Sequence, residues 1–364
     1  MLKMSDRYLK PVMGCLLGAA VGDAMGLPYR GLSRTTIHRY HTPIKGQSFI
    51  LNKAMFSSRT EHTCMSAQSL IVSGGDLIKF THDLARRIRL WLLALPVSID
   101  LATLKSALRL WMGRSPEHSG VNSTSNDAAI RSGIIGVCYG AEPVKLLGLV
   151  EASTIITHNN DKAKLSAIAV AVAAYLASIG TSIQPQEYYQ TLAKFLTHPA
   201  AKLPDLEVKA FLTLIEQACI SAEQNESGVI FVDRLSNYNG VSGYAYHTVS
   251  VIIQVWLRNQ RQYSEGIKEI IYLGGDTSAT AAILGGIIGA SVGISGIRQR
   301  WLDDIIDLPL SVEWIKSLSK QLARSCETGT PQPALSLAFY WLPLRNLLFL
   351  VVTLFRAFYR LLPF

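Results

Sequence analysis

Apolar residues recur with a helical period over most of the chain. The segment Leu101–Trp111 has apolar residues around most of its circumference, which is typical of a helix buried in a large core. The same pattern predicts helices at 164–178, 207–222 and 248–257. Strand-like alternation is scarce, and 228–232 is the one short candidate. We therefore predict an all-α fold, with a single multi-helical domain over residues 10–310.

Two of the predicted helices carry a glycine at every fourth position. This spacing places the glycines on one helical face, where they allow another helix to approach very closely. Because each glycine costs a helix about 1 kcal/mol relative to alanine, such a stripe needs a packing or functional reason. We expect both helices to be central and closely packed, and the pattern leaves open whether they pack on each other. The stripes are Gly14, Gly18, Gly22 and Gly26, and then Gly285, Gly289 and Gly293.

The second glycine-striped helix is preceded by the loop Gly274-Gly275-Asp276-Thr277-Ser278. Two glycines allow a sharp turn, and the oxygen-bearing side chains that follow suit the free N–H groups at a helix start. The partial positive charge there also favours a carboxylate, a phosphate or the ligands of a metal. Asp276 is therefore either a helix cap or part of a binding site. Two further polar loops, 113–127 and 157–161, are candidate partners for it.

Charge and cysteine content narrow the class of protein. The chain has 35 Lys+Arg against 26 Asp+Glu, a net charge of +9, which permits an anionic partner. No RNP, zinc-finger or basic-zipper pattern occurs, so we exclude nucleic acid as the expected partner. The five cysteines are odd in number and form no C-x-x-C pair, which indicates reduced thiols of an intracellular protein. Residues 1–10 are polar and lack a secretory signal's apolar segment, which favours a cytoplasmic location.

Five motifs occur in an order typical of one known family. They are GCLLGAAVGDAMGLP at 14–28, Thr60-Glu61-His62, the Asn126/Arg131 segment, Thr157-His158, and GGDTSATAAILGGIIGA at 274–290. Over residues 11–307 the chain resembles the ADP-ribosylglycohydrolase family, which includes the dinitrogenase-reductase-activating glycohydrolases. The resemblance implies an all-α fold and two divalent cations, commonly magnesium or manganese. It also implies hydrolysis of the N- or O-glycosidic bond that joins ADP-ribose to an acceptor.

The metal-binding motifs depart from the family pattern. Thr60 is present, but Glu61 and His62 replace the two aspartates that follow it; Asp276 is present, but Ser278 replaces the second aspartate of its loop. Arg30 stands where the family has a glutamate, and no acid occurs between Asp23 and Glu61. Two carboxylates hold two dications poorly. The expectation is one cation or none, with ligands drawn from Thr60, Glu61, His62, Asp276 and Ser278. The family suggests magnesium or manganese, and an imidazole ligand shifts the preference towards zinc, manganese or iron.

The resemblance also implies a pocket for ADP-ribose or an ADP-ribosylated protein. Its residues would be Asp23, Asn126, Asp127, Arg131, His158, Gly274 and Gly275. In that pocket Arg30 is able to pair with a phosphate that metal otherwise neutralises. For Arg131 and Asp127 the alternative is a local ion pair.

The character of the chain changes after residue 310. An amphipathic basic helix and a linker are predicted at 311–333, followed by an apolar tail at 334–364 that contains three arginines and no acid. Pro343 and Arg345 divide this tail and leave an apolar run of ten residues, 346–355, which is short for a membrane span. Peripheral attachment to an anionic membrane is one interpretation of the tail. An oligomer interface or a strap across the core is the other.

Three hypotheses for function follow from these observations. The first is a weak or inactive hydrolase that binds ADP-ribose or a related nucleotide. The second is an active hydrolase with a rearranged site for a single metal ion. The third is a structural or interaction protein that binds no nucleotide.

Overall fold

A computed structural model describes residues 6–180, 182–235 and 239–361, and these residues form helices joined by loops and a few isolated bridges. The α-helices are α1 Asp6–Gly26, α2 Arg34–Tyr40, α3 Ser58–Ser73, α4 Leu77–Trp91, α5 Leu101–Trp111, α6 Pro116–Ser119, α7 Asp127–Ile130, α8 Gly133–Tyr139, α9 Pro143–Ile155, α10 Asp161–Ser178, α11 Pro185–Leu196, α12 Asp205–Glu223, α13 Gly228–Arg234, α14 Ala245–Arg258, α15 Tyr263–Tyr272, α16 Thr277–Val292, α17 Gln299–Asp303, α18 Val312–Thr328 and α19 Leu342–Leu361. The all-α prediction is confirmed, and α5 has the predicted bounds.

Helices α1 and α16 form the centre of the molecule, and their glycine stripes face each other. A methyl group built on Gly18 would lie 2.2 Å from the carbonyl oxygen of Gly285, and one on Gly285 would lie 2.3 Å from that of Gly18. Gly14 opposes Gly289 in the same manner. Only glycine permits this backbone approach, which answers the question that the sequence left open. The helices run antiparallel, so the end of α1 lies beside the start of α16.

The other helices surround this pair. Helix α10 packs against α8 and α16, and α18 packs against α1 and α3. The predicted strand at 228–232 is wrong, because this segment lies in α13, whose N-cap Ser227 accepts a hydrogen bond from the backbone of Ile230. Phe231 and Val232 are buried there while Ile230 is exposed, so the apolar run serves one face of a helix. All five cysteines are free thiols.

In the C-terminal tail, residues Leu342–Leu361 form one continuous helix, α19, which includes both Pro343 and Arg345. Pro343 lies in the first turn of α19, where a missing backbone N–H breaks no helical hydrogen bond. By length and composition, two helices in the described part of the chain could cross a membrane. One, Arg7–Tyr29, is 94% buried and is the core helix α1; the other, Phe339–Phe358, is 28% buried.

Candidate functional site

The Gly274-Gly275 turn is held between two other backbone segments. Gly275 donates its N–H to Leu32 and accepts from Gly31, and the next residue, Asp276, donates its N–H to Val241. Both glycines have positive φ angles, and a methyl group on Gly275 would lie 2.2 Å from the carbonyl oxygen of Val241. The turn therefore fixes the start of α16, and the two glycines act through backbone geometry.

Asp23, at the end of α1, is fully buried and connects three helices. Its Oδ2 accepts hydrogen bonds from the backbone of Ser57 at 2.8 Å and the hydroxyl of Thr60 at 2.7 Å. Its Oδ1 accepts from the hydroxyls of Ser57 at 2.7 Å and Ser278 at 2.8 Å. The backbone N–H of Thr60 adds a longer contact of 3.3 Å. The carboxylate thus joins α1 to the starts of α3 and α16, and uncharged donors occupy both of its oxygens.

Asp276 is the N-cap residue of α16, but its side chain makes no capping hydrogen bond. Its Oδ2 accepts from the amide of Asn126 at 3.3 Å. Its Oδ1 lies 3.5 Å from Arg30 Nε and 3.6 Å from Arg59 Nη2. This oxygen is buried and has no hydrogen-bond donor among the described residues. The capping role is therefore not the role of this carboxylate, which instead faces two guanidinium groups.

Arg59 lies at the centre of a group of carboxyls. Burial lowers its pKa, but the charges of Asp276, Asp127, Asp23 and Asp100 more than offset this, so its pKa is raised. Its Nε has no hydrogen-bond acceptor among the described residues. Two guanidinium groups, those of Arg59 and Arg30, are thus set among carboxyls beside the start of α16.

Asp127 has an altered acidity in these surroundings. Burial raises its pKa, and Asp100 and Asp276 raise it further, while Arg59 and Arg30 lower it; the result is a pKa of about 6. The alternative reading as an ion pair with Arg131 is not met, because among the described residues the Arg131 guanidinium bonds elsewhere. It donates to Ser153, Thr157 and His62.

Arg131 and His158 are connected through Thr157. The hydroxyl oxygen of Thr157 accepts from Arg131 and lies 2.7 Å from Nδ1 of His158. On the other side of the ring, Nε2 of His158 lies 2.6 Å from the hydroxyl of Ser125. Burial and the charge of Arg131 lower the pKa of His158 to about 3, so the ring is neutral at ordinary pH. Arg131 is fully buried and, through Thr157, helps to hold the imidazole of His158 in place.

His158 also belongs to a group of side chains that could hold a cation. Ligand atoms of Asp100, Asp127 and His158 all lie within 4.8 Å of one another. The structure thus adds Asp100, which the sequence reasoning missed. Asp100 is the N-cap of α5, and its Oδ2 accepts from two backbone N–H groups. In the sequence, Asp100 looks like any other Asp that caps a helix. Only the fold brings it beside Asp127 and His158.

Glu61 and His62 have partners away from Asp276. Glu61 accepts from the indole of Trp91 at 2.7 Å and lies 3.4 Å from Arg345 of α19. His62 is buried, its Nδ1 lies 3.3 Å from Arg131, and burial followed by that charge lowers its pKa well below its usual range. Among the described residues, the ligand atoms that lie within 4.8 Å of one another do not include Glu61, His62 and Asp276 as a group. Glu61 pairs instead with Arg345 of α19, and the mixed ligand set stays a prediction.

The residues present do not fit the two-cation site of the resembled family. Thr60 and Ser278 donate their hydroxyl protons to Asp23 and so fill its lone pairs. Asp276 faces two arginines, whose positive charge repels a cation. The donor set of Asp100, Asp127 and His158, with two carboxylates and an imidazole, could instead hold one divalent ion.

Comparison with known proteins places this geometry in a family. A model of the ADP-ribosylglycohydrolase family matches residues 4–332. The chain belongs to the ADP-ribosylglycohydrolase family. An uncharacterized protein of Archaeoglobus fulgidus is 26% identical over 318 residues, which cover 85% of this chain and 94% of that protein. A solved structure described as an ADP-ribosylglycohydrolase-related protein complex superposes with a TM-score of 0.66 at 23% identity. The match covers 88% of this chain and 99% of that one, and it supports the shared fold.

Membership in this family indicates the kind of substrate and cofactor to consider for these residues. The ADP-ribosylglycohydrolase family acts on ADP-ribosylated substrates and is typically dependent on divalent metal. The matched region ends at residue 332, so it includes α18 and stops before α19. The domain division at residues 310 and 333 stays a prediction.

Proposed function

We propose that this member of the ADP-ribosylglycohydrolase family binds ADP-ribose or a related nucleotide without turning it over at an appreciable rate. One observation carries the proposal. Oδ1 of Asp276 is a buried acceptor with no hydrogen-bond donor in the part of the chain that the structure describes, and it lies between the guanidinium groups of Arg30 and Arg59. A buried acceptor of this kind costs about 1–3 kcal/mol until a donor reaches it. A ligand hydroxyl is such a donor.

ADP-ribose combines the two groups that this arrangement lacks. Its ribose hydroxyls donate hydrogen bonds, and its diphosphate is an anion that a guanidinium group recognises well. The side chain of Arg30 is 36% exposed, so a ligand can reach it. The side chain of Arg59 is 3% exposed and lies on the buried side of Asp276. In this proposal Asp276 accepts from a ribose hydroxyl and Arg30 pairs with a phosphate.

Low turnover is supported by what happens to the family's metal-binding positions. Thr60 and Ser278, two of the expected metal ligands, donate their hydroxyl protons to the buried carboxylate of Asp23 and so help to hold three helix ends together. Turning these hydroxyls towards a cation would leave that carboxylate with fewer donors. No acid stands at the glutamate position, where Arg30 is found.

Calorimetric titration with ADP-ribose tests this proposal, run with EDTA and separately with magnesium, manganese or zinc. We expect binding that survives EDTA and that Asp276→Asn and Arg30→Gln weaken by about tenfold each, in line with the loss of one charge-assisted hydrogen bond. Arg39→Gln is the matched control, because Arg39 is an exposed arginine of the neighbouring helix α2. No heat and no thermal shift in any condition would leave the structural hypothesis.

A second candidate function, hydrolysis with one metal ion, is favoured by the cluster of Asp100, Asp127 and His158. A divalent cation held by these three side chains would supply a Lewis acid. Metal analysis of the purified protein and release of ADP-ribose from arginine- or serine-linked peptides test this candidate. Stoichiometric metal together with release, both lost in His158→Gln, would replace the first proposal with the second.

A further inference from the structure

Helix α19 presents a long apolar face to solvent. Seven of its side chains, spaced by three or four residues along one side, are each more than half exposed: Leu344, Leu347, Leu348, Val351, Leu354, Phe355 and Phe358. From Leu344 to Phe358 this face is about 21 Å long at 1.5 Å per residue. An apolar surface of this extent is unusual on a soluble monomer and marks an interaction site.

The apolar surface continues beyond the helix. A groove of about 840 Å³ lies between α19 and the segment 306–309. Exposed Ile306 and Leu308 line its other side, with exposed Trp341 at the end of the helix. The surface is therefore wider than the narrow a/d seam through which two helices pair. A broad, shallow apolar surface suits a lipid interface better than a second copy of α19.

The opposite side of α19 is anchored to the domain. Arg345 is buried, donates to Asp307 at 2.9 Å, and also bonds the backbone oxygen of Phe56. Asn346 donates to the backbone of Ala94, and buried Phe349 stacks on Phe49. Crossing a bilayer would require α19 to leave these contacts and strand buried Asp307 without its cation, which is strongly unfavourable. The helix therefore lies along the domain surface.

Charge indicates which kind of bilayer fits. The whole chain carries +9, and segment 334–364 contains no acid. Within this segment Arg345 is neutralised by Asp307 and Glu61, whereas Arg356 donates to the uncharged backbone oxygens of Ser48 and Phe49. Asp307, the one acid within 306–309, is buried beneath Arg345. Basic proteins are attracted to the negative surface of membranes that contain anionic lipids. Exposed Tyr340 and Trp341 are of the type that resides at the headgroup level.

We propose that α19 and the segment 306–309 bind the interface of an anionic bilayer, with the helix axis parallel to the membrane plane. The helix buries its exposed leucines and phenylalanines among the upper acyl chains while the domain stays on the same side of the membrane. This places the ADP-ribosylglycohydrolase domain at a membrane surface through a tail that lies beyond the family match.

Co-sedimentation of the full chain with vesicles tests the proposal. We expect binding to vesicles of phosphatidylcholine with phosphatidylglycerol, and weaker binding to phosphatidylcholine alone. The triple variant Leu347→Glu, Val351→Glu and Leu354→Glu should reduce binding by at least about tenfold, since one buried leucine is worth about that factor. Because all three side chains are exposed, the fold should survive.

A matched triple controls for added acid and lost apolar surface. It consists of Ile78→Glu, Leu206→Glu and Ile230→Glu, which change exposed apolar residues on other helices. This control should bind vesicles like the unchanged protein. Equal loss in both triples, or equal binding to neutral and anionic vesicles, overturns the proposal. So does a dimer in light scattering that the α19 triple abolishes, with no vesicle binding by the unchanged protein.

Orientation has its own measurement. Trp341 fluorescence should be quenched by lipids brominated near the headgroup, and Trp341→Phe should remove that signal. In a Trp341→Phe background, the fluorescence gained by Phe358→Trp should be quenched by the same brominated lipids and from the same side of the vesicle. Quenching of the two ends by iodide from opposite sides of the vesicle would show a spanning helix and would contradict an in-plane one.

Discussion

Asp23 and Asp276 lie at the meeting ends of the same helix pair, yet their surroundings differ. Asp23 is fully buried and receives uncharged donors on both oxygens. The side chain of Asp276 is 16% exposed, and one of its oxygens receives no hydrogen bond from any described residue, although two guanidinium groups lie nearby. Asp23 is therefore a structural junction, and Asp276 is the carboxylate that remains available to a ligand.

The comparison explains how a metal-dependent fold remains stable when its ligand positions change. Ser278 donates to Asp23 where a carboxylate would repel it, and Arg59 sits among four aspartates. Arg345 of α19 forms ion pairs with Glu61 and Asp307. Hydroxyls and guanidinium groups thus supply the donors and positive charge that cations supply in other members of the family.

The largest expected effect comes from restoring an acid at position 278. Ser278→Asp would put a second buried carboxylate against Asp23, and we expect the free energy of unfolding to fall by about 3–5 kcal/mol. Urea unfolding measures this. The control Ser278→Ala removes one hydrogen bond to a charged group and should cost only about 1.5–3 kcal/mol. If the two variants were equally stable, Asp23 would not be the closed junction described above.

An intermediate effect that depends on pH is expected for Asp127. Its pKa is raised from 3.8 to about 6, so between these values the folded state binds more protons than the unfolded state, and stability falls as pH rises. Asp127→Asn removes that loss. The variant should gain up to about 3 kcal/mol relative to the unchanged protein on going from about pH 4 to about pH 7, at roughly 1.4 kcal/mol per unit.

Denaturant unfolding at several pH values checks this expectation for Asp127. Asp205→Asn is the matched control, because Asp205 is an exposed aspartate that also starts a helix. The stability difference between Asp205→Asn and the unchanged protein should not show the rise with pH that is expected for Asp127→Asn. A flat difference for Asp127→Asn as well would mean that the surrounding carboxyls and burial do not act on Asp127.

The smallest effect on stability is expected at Asp276. Asp276→Asn should change the free energy of unfolding by less than about 1 kcal/mol, because the pair with Arg30 is partly exposed and buried Arg59 keeps the charges of Asp127, Asp23 and Asp100. Thermal unfolding without ligand measures this, and the ligand titration above measures the loss of binding in the same variant. A stability loss as large as that of Ser278→Asp would place Asp276 with Asp23 as a structural group.

Part of the site could be predicted from sequence because its residues lie in short contiguous motifs. The motif around Asp23, the Asp276 loop and the Thr157-His158 pair are contiguous, and the structure brings all three to the ends of α1 and α16 or beside them. The direction of Glu61 could not be predicted, because its partner Arg345 lies 284 residues away. Asp100 was missed for the same reason, since a cap before a helix looks the same whether or not His158 lies beside it.

By itself the sequence determined the all-α class, the glycine stripes and the family, because periodicity, small-residue spacing and short motifs act within a few turns of chain. Tertiary structure alone decided that α1 and α16 are partners, that Asp23 is saturated while Asp276 is not, and that α19 is anchored on one side. Those outcomes depend on which donors, charges and surfaces meet across hundreds of residues. Burial then sets their strength, since a carboxylate is stable inside a protein only with the partners the fold delivers.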